Sequence, residues 1–169
     1  PAIVVEDAIA DDLVATIVEL AEARKMGPAW ESSTELGPLV NQEHHKFVSE
    51  WIEKSVAEGA VPVLDGRNVT VPGLEEGFFM GPTVFDHVTE EMSCGREEVF
   101  GPVLYVKRVA DFEEGVEIIN SNEFANGASI FTRSGYHARE FARRVDAGMV
   151  GVNVGIPVPI AAFPFSGHK

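Results

Sequence analysis

From Val103 onward the chain alternates short apolar runs with amphipathic ones, and that alternation narrows the available folds more than any other feature. Val103–Val109 reads as a strand. The stretch 111–120 reads as a helix, with Asp111 as its cap and Phe112, Val116 and Ile119 on one face. A strand over 128–132, a helix over 136–145 and a strand over 149–154 complete the series. Strands that follow one another through helices need crossover connections, which lay them parallel and cover the sheet with helices. The fold class is therefore α/β, a layered and largely parallel sheet flanked by helices. Gly148 reads as the cap that closes the last helix and Gly151 as a close-packing position.

The first half is less regular. Ala2–Val5 reads as a short buried strand, because its β-branched residues run without polar interruption. Asp7 opens a helix whose stripe contains Leu13, Val14, Ile17, Leu20 and Ala21. Arg24 and Lys25 fall in its last turn and Gly27-Pro28 stops it. Asn41 is placed to cap a second helix with Phe47, Val48, Trp51, Ile52 and Val56 on its apolar side, and Gly59 ends it. Strands at Val61–Leu64 and from Thr83 frame a turn at Asp65–Asn68 and a loop from Gly73 to Gly81. With no repeat, low-complexity tract or linker, residues 1–169 read as one domain.

Charge excludes one class of partner. Acidic residues number 27 against 13 lysines and arginines, a formal charge of −14. Such a surface repels phosphate backbones, so no nucleic acid is expected. No apolar run approaches the length of a membrane span, so no membrane partner is expected either. A single cysteine, Cys94, rules out an internal disulfide and fits a reducing compartment, the cytoplasm or a mitochondrial matrix. Two features suggest a piece of a longer chain: it opens on an apolar run without an initiating Met, and it ends without a polar tail.

Cys94 is the obvious nucleophile, but Glu97 and Glu98 nearby raise a thiol pKa, and the expectation is a structural cysteine and no catalytic residue. His44, His45, His87, His137 and His168 lack ligand spacing, so no metal is expected, and the adjacent pair reads as a solvated helix face. No G-x-G-x-x-G sits between a strand and a helix, so a dinucleotide-binding Rossmann lobe is not expected within these residues.

The stretch Glu97-Glu98-Val99-Phe100-Gly101-Pro102-Val103 is different. In extended backbone a carboxylate and an aromatic two residues apart share a side. The Gly-Pro break then fixes how they are presented at the mouth of a strand. A carboxylate accepts hydrogen bonds from sugar hydroxyls, and an aromatic ring packs on a flat heterocycle. The residues alone also allow an exposed acidic turn that feeds a buried strand.

The heptapeptide resembles the Glu-Glu-(Ile/Val)-Phe-Gly-Pro signature of the aldehyde dehydrogenase superfamily, and the likeness extends over the whole chain. The resemblance implies that Glu98 holds the nicotinamide-side ribose of NAD and that Phe100 packs near the nicotinamide. It implies a Gly-Gln-x-Cys nucleophile in a segment preceding the match to Pro1. It also implies that the proline-broken loop after Asn153 lines a substrate tunnel, with Ile156 and Phe165 as walls, and that His44 or Lys46 touches adenosine. Asp65-Gly66-Arg67, Val71-Pro72-Gly73 and Ile156-Pro157-Val158-Pro159 look like the CoA-acylating methylmalonate-semialdehyde branch. Ser166 stands where the family's tail has Gly. That branch implies a small semialdehyde substrate, NAD as cofactor, CoA as co-substrate and a homo-oligomer.

Overall fold

A computed structural model describes residues 1–158, and Phe165 lies outside the described residues. The chain divides into two compact units, Pro1–Arg108 and one that begins at Val109. Six strands and five helices are described: β1 (Ala2–Glu6), α1 (Asp7–Glu22), α2 (Gln42–Ala57), β2 (Val61–Leu64), β3 (Thr83–Asp86), α3 (Ser93–Arg96), β4 (Val103–Val109), α4 (Phe112–Ser121), β5 (Gly127–Ile130), α5 (Gly135–Arg144) and β6 (Met149–Val152).

The first unit is built on a sheet in the order β1-β4-β3-β2, with β3 parallel to β4 and β2 antiparallel to β3. Alternation along the strands sends successive side chains to opposite faces. Phe85, Val103 and Tyr105 join Val48 and Ile52 of α2 in one core. Val84 and Val106 join Val5, Ala10 and Val14 on the other side, where α1 packs. Helices thus cover both faces of the sheet. In the second unit β5 and β6 pair in parallel on either side of α5, the crossover arrangement expected. Ala128 and Ile130 face Val116, Phe141 and Val145 of the covering helices and their flank.

Several boundaries depart from expectation. Helix α1 stops at Glu22, short of Arg24 and Lys25. The Lys25 carbonyl accepts from the Glu35 and Leu36 amides, and Arg24 pairs with Glu35 at 2.8 Å, so these residues are taken by a nonlocal pairing. Strand β1 is only half-buried, with Val5 its single buried residue. Gly148 does not cap α5, which ends at Arg144 with Val145 as cap; its N–H donates to the Ala125 carbonyl instead. Gly151 is a close-packing position, since a Cβ there would lie 2.5 Å from Ser129 Oγ. The one-turn helix α3 had no sequence signal.

One charge cluster ties the first unit together. Asp86 is buried, and Arg108 donates two hydrogen bonds to its carboxylate while also reaching Asp11 at 2.8 Å on α1. Burial works to raise the Asp86 pKa, but the guanidinium and the His87 N–H outweigh it and hold the carboxyl below its ordinary value. A depressed carboxyl contributes stability that is fully present above the unfolded pKa and is lost as pH falls through the folded one. Melting temperature is therefore expected to hold from pH 7 down to about pH 4 and to fall below that. A melting temperature that stays flat to pH 2.5 would contradict this.

Candidate functional site

The site grows from the end of α3 to the start of β4. Residues 97–102 are irregular, and burial along them alternates: Glu98 and Phe100 are exposed, whereas Val99 between them is buried in the core beside α2. That inward side chain turns its neighbours outward. The Gly101 N–H donates to the Val99 carbonyl at 2.8 Å, and the Val103 N–H donates to the Gly101 carbonyl at 2.8 Å, so two tight turns precede the strand. A Cβ on Gly101 would lie 2.9 Å from Val48 Cγ2, which is why this position suits glycine against α2. The Pro102 carbonyl accepts from the Thr83 N–H at 2.8 Å, locking the strand mouth to β3.

Helix α2 braces the loop from below. Asn41 caps it by accepting from the His44 N–H, as expected. The two histidines are not a solvated face: His44 Nε2 donates to the Phe100 carbonyl, and His45 Nε2 bonds the Phe79 carbonyl at 3.1 Å. Both rings reach across to loops, a role that no local pattern announces. What emerges is an exposed carboxylate and an exposed ring on a backbone that is pinned on the inside. Phe100 is 77% exposed, so its ring is open to contact from solution. Among the described residues the Glu98 carboxylate makes no hydrogen bond or ion pair. Its acceptor capacity is thus available to a ligand's donors.

Cys94 has the opposite character. It is buried in the core with Val99 and Tyr105, and burial pushes its thiol pKa up, which leaves it protonated and unreactive. Burial also pushes the neighbouring Tyr105 hydroxyl up to about 12.

Ile156 lies in the second unit and is 78% exposed, in an irregular stretch after β6. That stretch starts from Asn153, whose backbone is left-handed with φ of 55°. The Asn153 side chain accepts from the Thr132 N–H at 2.9 Å and donates to the Thr132 carbonyl at 3.1 Å. It therefore extends the β5–β6 pairing by one step with side-chain rather than main-chain atoms. Asn153→Ala removes both bonds and puts a Cβ residue without compensation at positive φ. The expected loss is about 2 kcal/mol, and Asn153→Gly is expected to lose less because glycine tolerates the backbone. Equal chemical-denaturation midpoints for the two variants would contradict this account.

Comparison with known proteins covers the whole chain. The family profile described as aldehyde dehydrogenase family matches residues 1–169. A malonate-semialdehyde dehydrogenase of Bacillus licheniformis is 45% identical over 98% of this chain. The chain spans about a third of that relative's length, 34%. Among solved structures, methylmalonate-semialdehyde dehydrogenase from Oceanimonas doudoroffii superposes with a TM-score of 0.95 at 42% identity, over 99% of this chain and 35% of that one. A Sinorhizobium meliloti 1021 protein assigned as a methylmalonate-semialdehyde dehydrogenase and solved with NAD gives 0.96 at 39% identity, over 99% of this chain and 34% of that one. With the family profile matched from the first residue to the last, the chain belongs to the aldehyde dehydrogenase family.

Proposed function

We propose that the full-length protein carrying this chain oxidises malonate or methylmalonate semialdehyde with NAD and CoA. The products are acetyl-CoA or propionyl-CoA, carbon dioxide and NADH. The substrate class is supported by the likeness to malonate- and methylmalonate-semialdehyde dehydrogenases, and NAD by the relative solved with it. One observation of this chain's own carries the coenzyme reading: a Glu98 carboxylate without a hydrogen bond or ion pair among the described residues and an exposed Phe100 ring stand on a loop braced by Val99, Gly101 and His44. These residues fit a ribose and a nicotinamide, since a diol needs acceptors and a flat ring needs an apolar partner. When bound, NAD supplies the hydride acceptor.

The work of this chain is then binding and orientation. Glu98 accepts from the hydroxyls of the nicotinamide-side ribose and fixes the ring's distance from the substrate. Phe100 packs near the ring and excludes water from one side. Ile156 and Phe165 form walls of the aldehyde's channel in this reading. Cys94 takes no part in the chemistry, and the nucleophile belongs to another segment of the full-length protein. That protein is also expected to be a homo-oligomer.

The test is product analysis with the full-length protein and each semialdehyde, with and without CoA. NADH formation that requires CoA, together with the thioester by mass spectrometry, is the expected result. Full turnover to the free acid without CoA would replace this reading with a free-acid-forming dehydrogenase of the same fold.

A further inference from the structure

Lys107 sits in β4 on the same face as Val103 and Tyr105, a position where an apolar side chain would pack without penalty. It is nonetheless a lysine, and it is only 4% exposed. Its ammonium pairs with Glu90 and donates to the Gly95 carbonyl at 2.6 Å. A buried charge carries a heavy desolvation cost that pairing offsets only in part, so the gain from keeping a lysine here is geometric. It joins both ends of the segment from Glu90 to Gly95. Gly95 has no room for a side chain, since a Cβ would meet the Thr89 carbonyl oxygen at 2.1 Å.

From the other side, Glu58 at the end of α2 accepts from the Ser93 N–H and from Ser93 Oγ, both at 2.7 Å. The bond from the Ser93 hydroxyl is the main reason its carboxyl stays below the usual range. Between these two anchors, Cys94 is buried in the α2-side core. The turn Ser93–Arg96 is thus fixed from three directions, and Glu98 follows two residues after its end.

We infer that Lys107 and Glu58 are positioning residues of the coenzyme site: they set the turn from which Glu98 and Phe100 are presented. This rests on the coenzyme reading of Glu98 and Phe100 given above. Both residues act through the backbone of 93–96, by preorganising a site whose exposed groups have few contacts of their own.

The experiment uses the full-length protein and its Lys107→Met, Glu58→Ala, Glu58→Gln and Glu98→Ala variants. NAD dissociation constants are measured by fluorescence titration, beside the aldehyde KM and the melting temperature. Lys107→Met is expected to weaken NAD binding about tenfold while the aldehyde KM stays within about twofold. Glu58→Ala is expected to do the same, and Glu58→Gln, which keeps an acceptor oxygen, to recover most of the loss. Should Lys107→Met fail to fold, the Glu58 pair, on a partly exposed side chain, decides the question alone. NAD affinity unchanged in a folded variant, or NAD affinity and aldehyde KM worsening together, overturns the inference. If Glu98→Ala also leaves NAD affinity unchanged, the coenzyme reading itself has failed rather than the positioning role.

Discussion

Replacing Glu98 with alanine in the full-length protein lowers turnover with NAD by about 10- to 100-fold, while the protein's melting temperature stays within about 1 °C of the parent. The magnitude follows from what is removed: hydrogen bonds to a charged acceptor are worth about 1.5–3 kcal/mol each when the alternative is an unsatisfied donor. Bonds that hold the ring in its reacting position are realised in the transition state, so their loss appears in kcat as well as in binding. Stability is spared because Glu98 makes no hydrogen bond or ion pair among the described residues, and surface substitutions of that kind are near neutral. Phe100→Ala is expected to act in the same direction and less strongly, because it gives up packing rather than charged bonds. Steady-state kinetics that are unchanged in NAD for Glu98→Ala would contradict the role.

The second large effect is on the fold. Phe85→Ala costs about 3–5 kcal/mol of unfolding free energy. Phe85 is fully buried in β3 and stacks on Tyr105 of β4 with ring centroids 5.7 Å apart. It shares a core with Val48, Ile52 and Val99, so its removal opens a cavity beneath α2 and the braced loop. Chemical denaturation is the check, and a loss below about 1 kcal/mol would mean that the core collapses into the space without cost. The pair of variants separates the two layers of the site. One disturbs the exposed groups on an intact scaffold, and the other disturbs the scaffold that aims them.

Much of the scaffold was legible because its signals are local. The crossover β5–α5–β6, the seven residues of β4 and the caps Asn41 and Asp111 are each written in a few consecutive residues, by period, by composition or by one side chain that accepts a nearby N–H. The end of α1 was not legible, because the Lys25 N–H, which a longer helix would direct to the Ala21 carbonyl, donates instead to the Glu35 carboxylate ten positions further on. The division of labour within the site followed the same line. Glu98 and Phe100 stand out in the sequence because a short motif names them. Their supports are nonlocal: Glu58 is 35 residues from Ser93, and His44 is 56 residues from Phe100. A lysine inside a strand pattern was the one local sign, since a charge at a core position asks what it is paired with.

Asn153 holds the start of the stretch that carries Ile156. The resemblance marks Asn153 as the start of a loop along the substrate channel. Its side-chain bonds to Thr132 give a physical reason for an asparagine there: it ends β6 at positive φ while still satisfying the edge of β5. The loop that carries Ile156 therefore leaves from a fixed point.

The central claim is that Glu98 and Phe100 face the nicotinamide half of the coenzyme, and a crystal structure of the full-length protein with NAD bound tests it most directly. The account predicts the Glu98 carboxylate within hydrogen-bonding distance of the nicotinamide-side ribose hydroxyls and the Phe100 ring against the nicotinamide. A coenzyme ribose held by other residues, with Glu98 left in solvent, would contradict it.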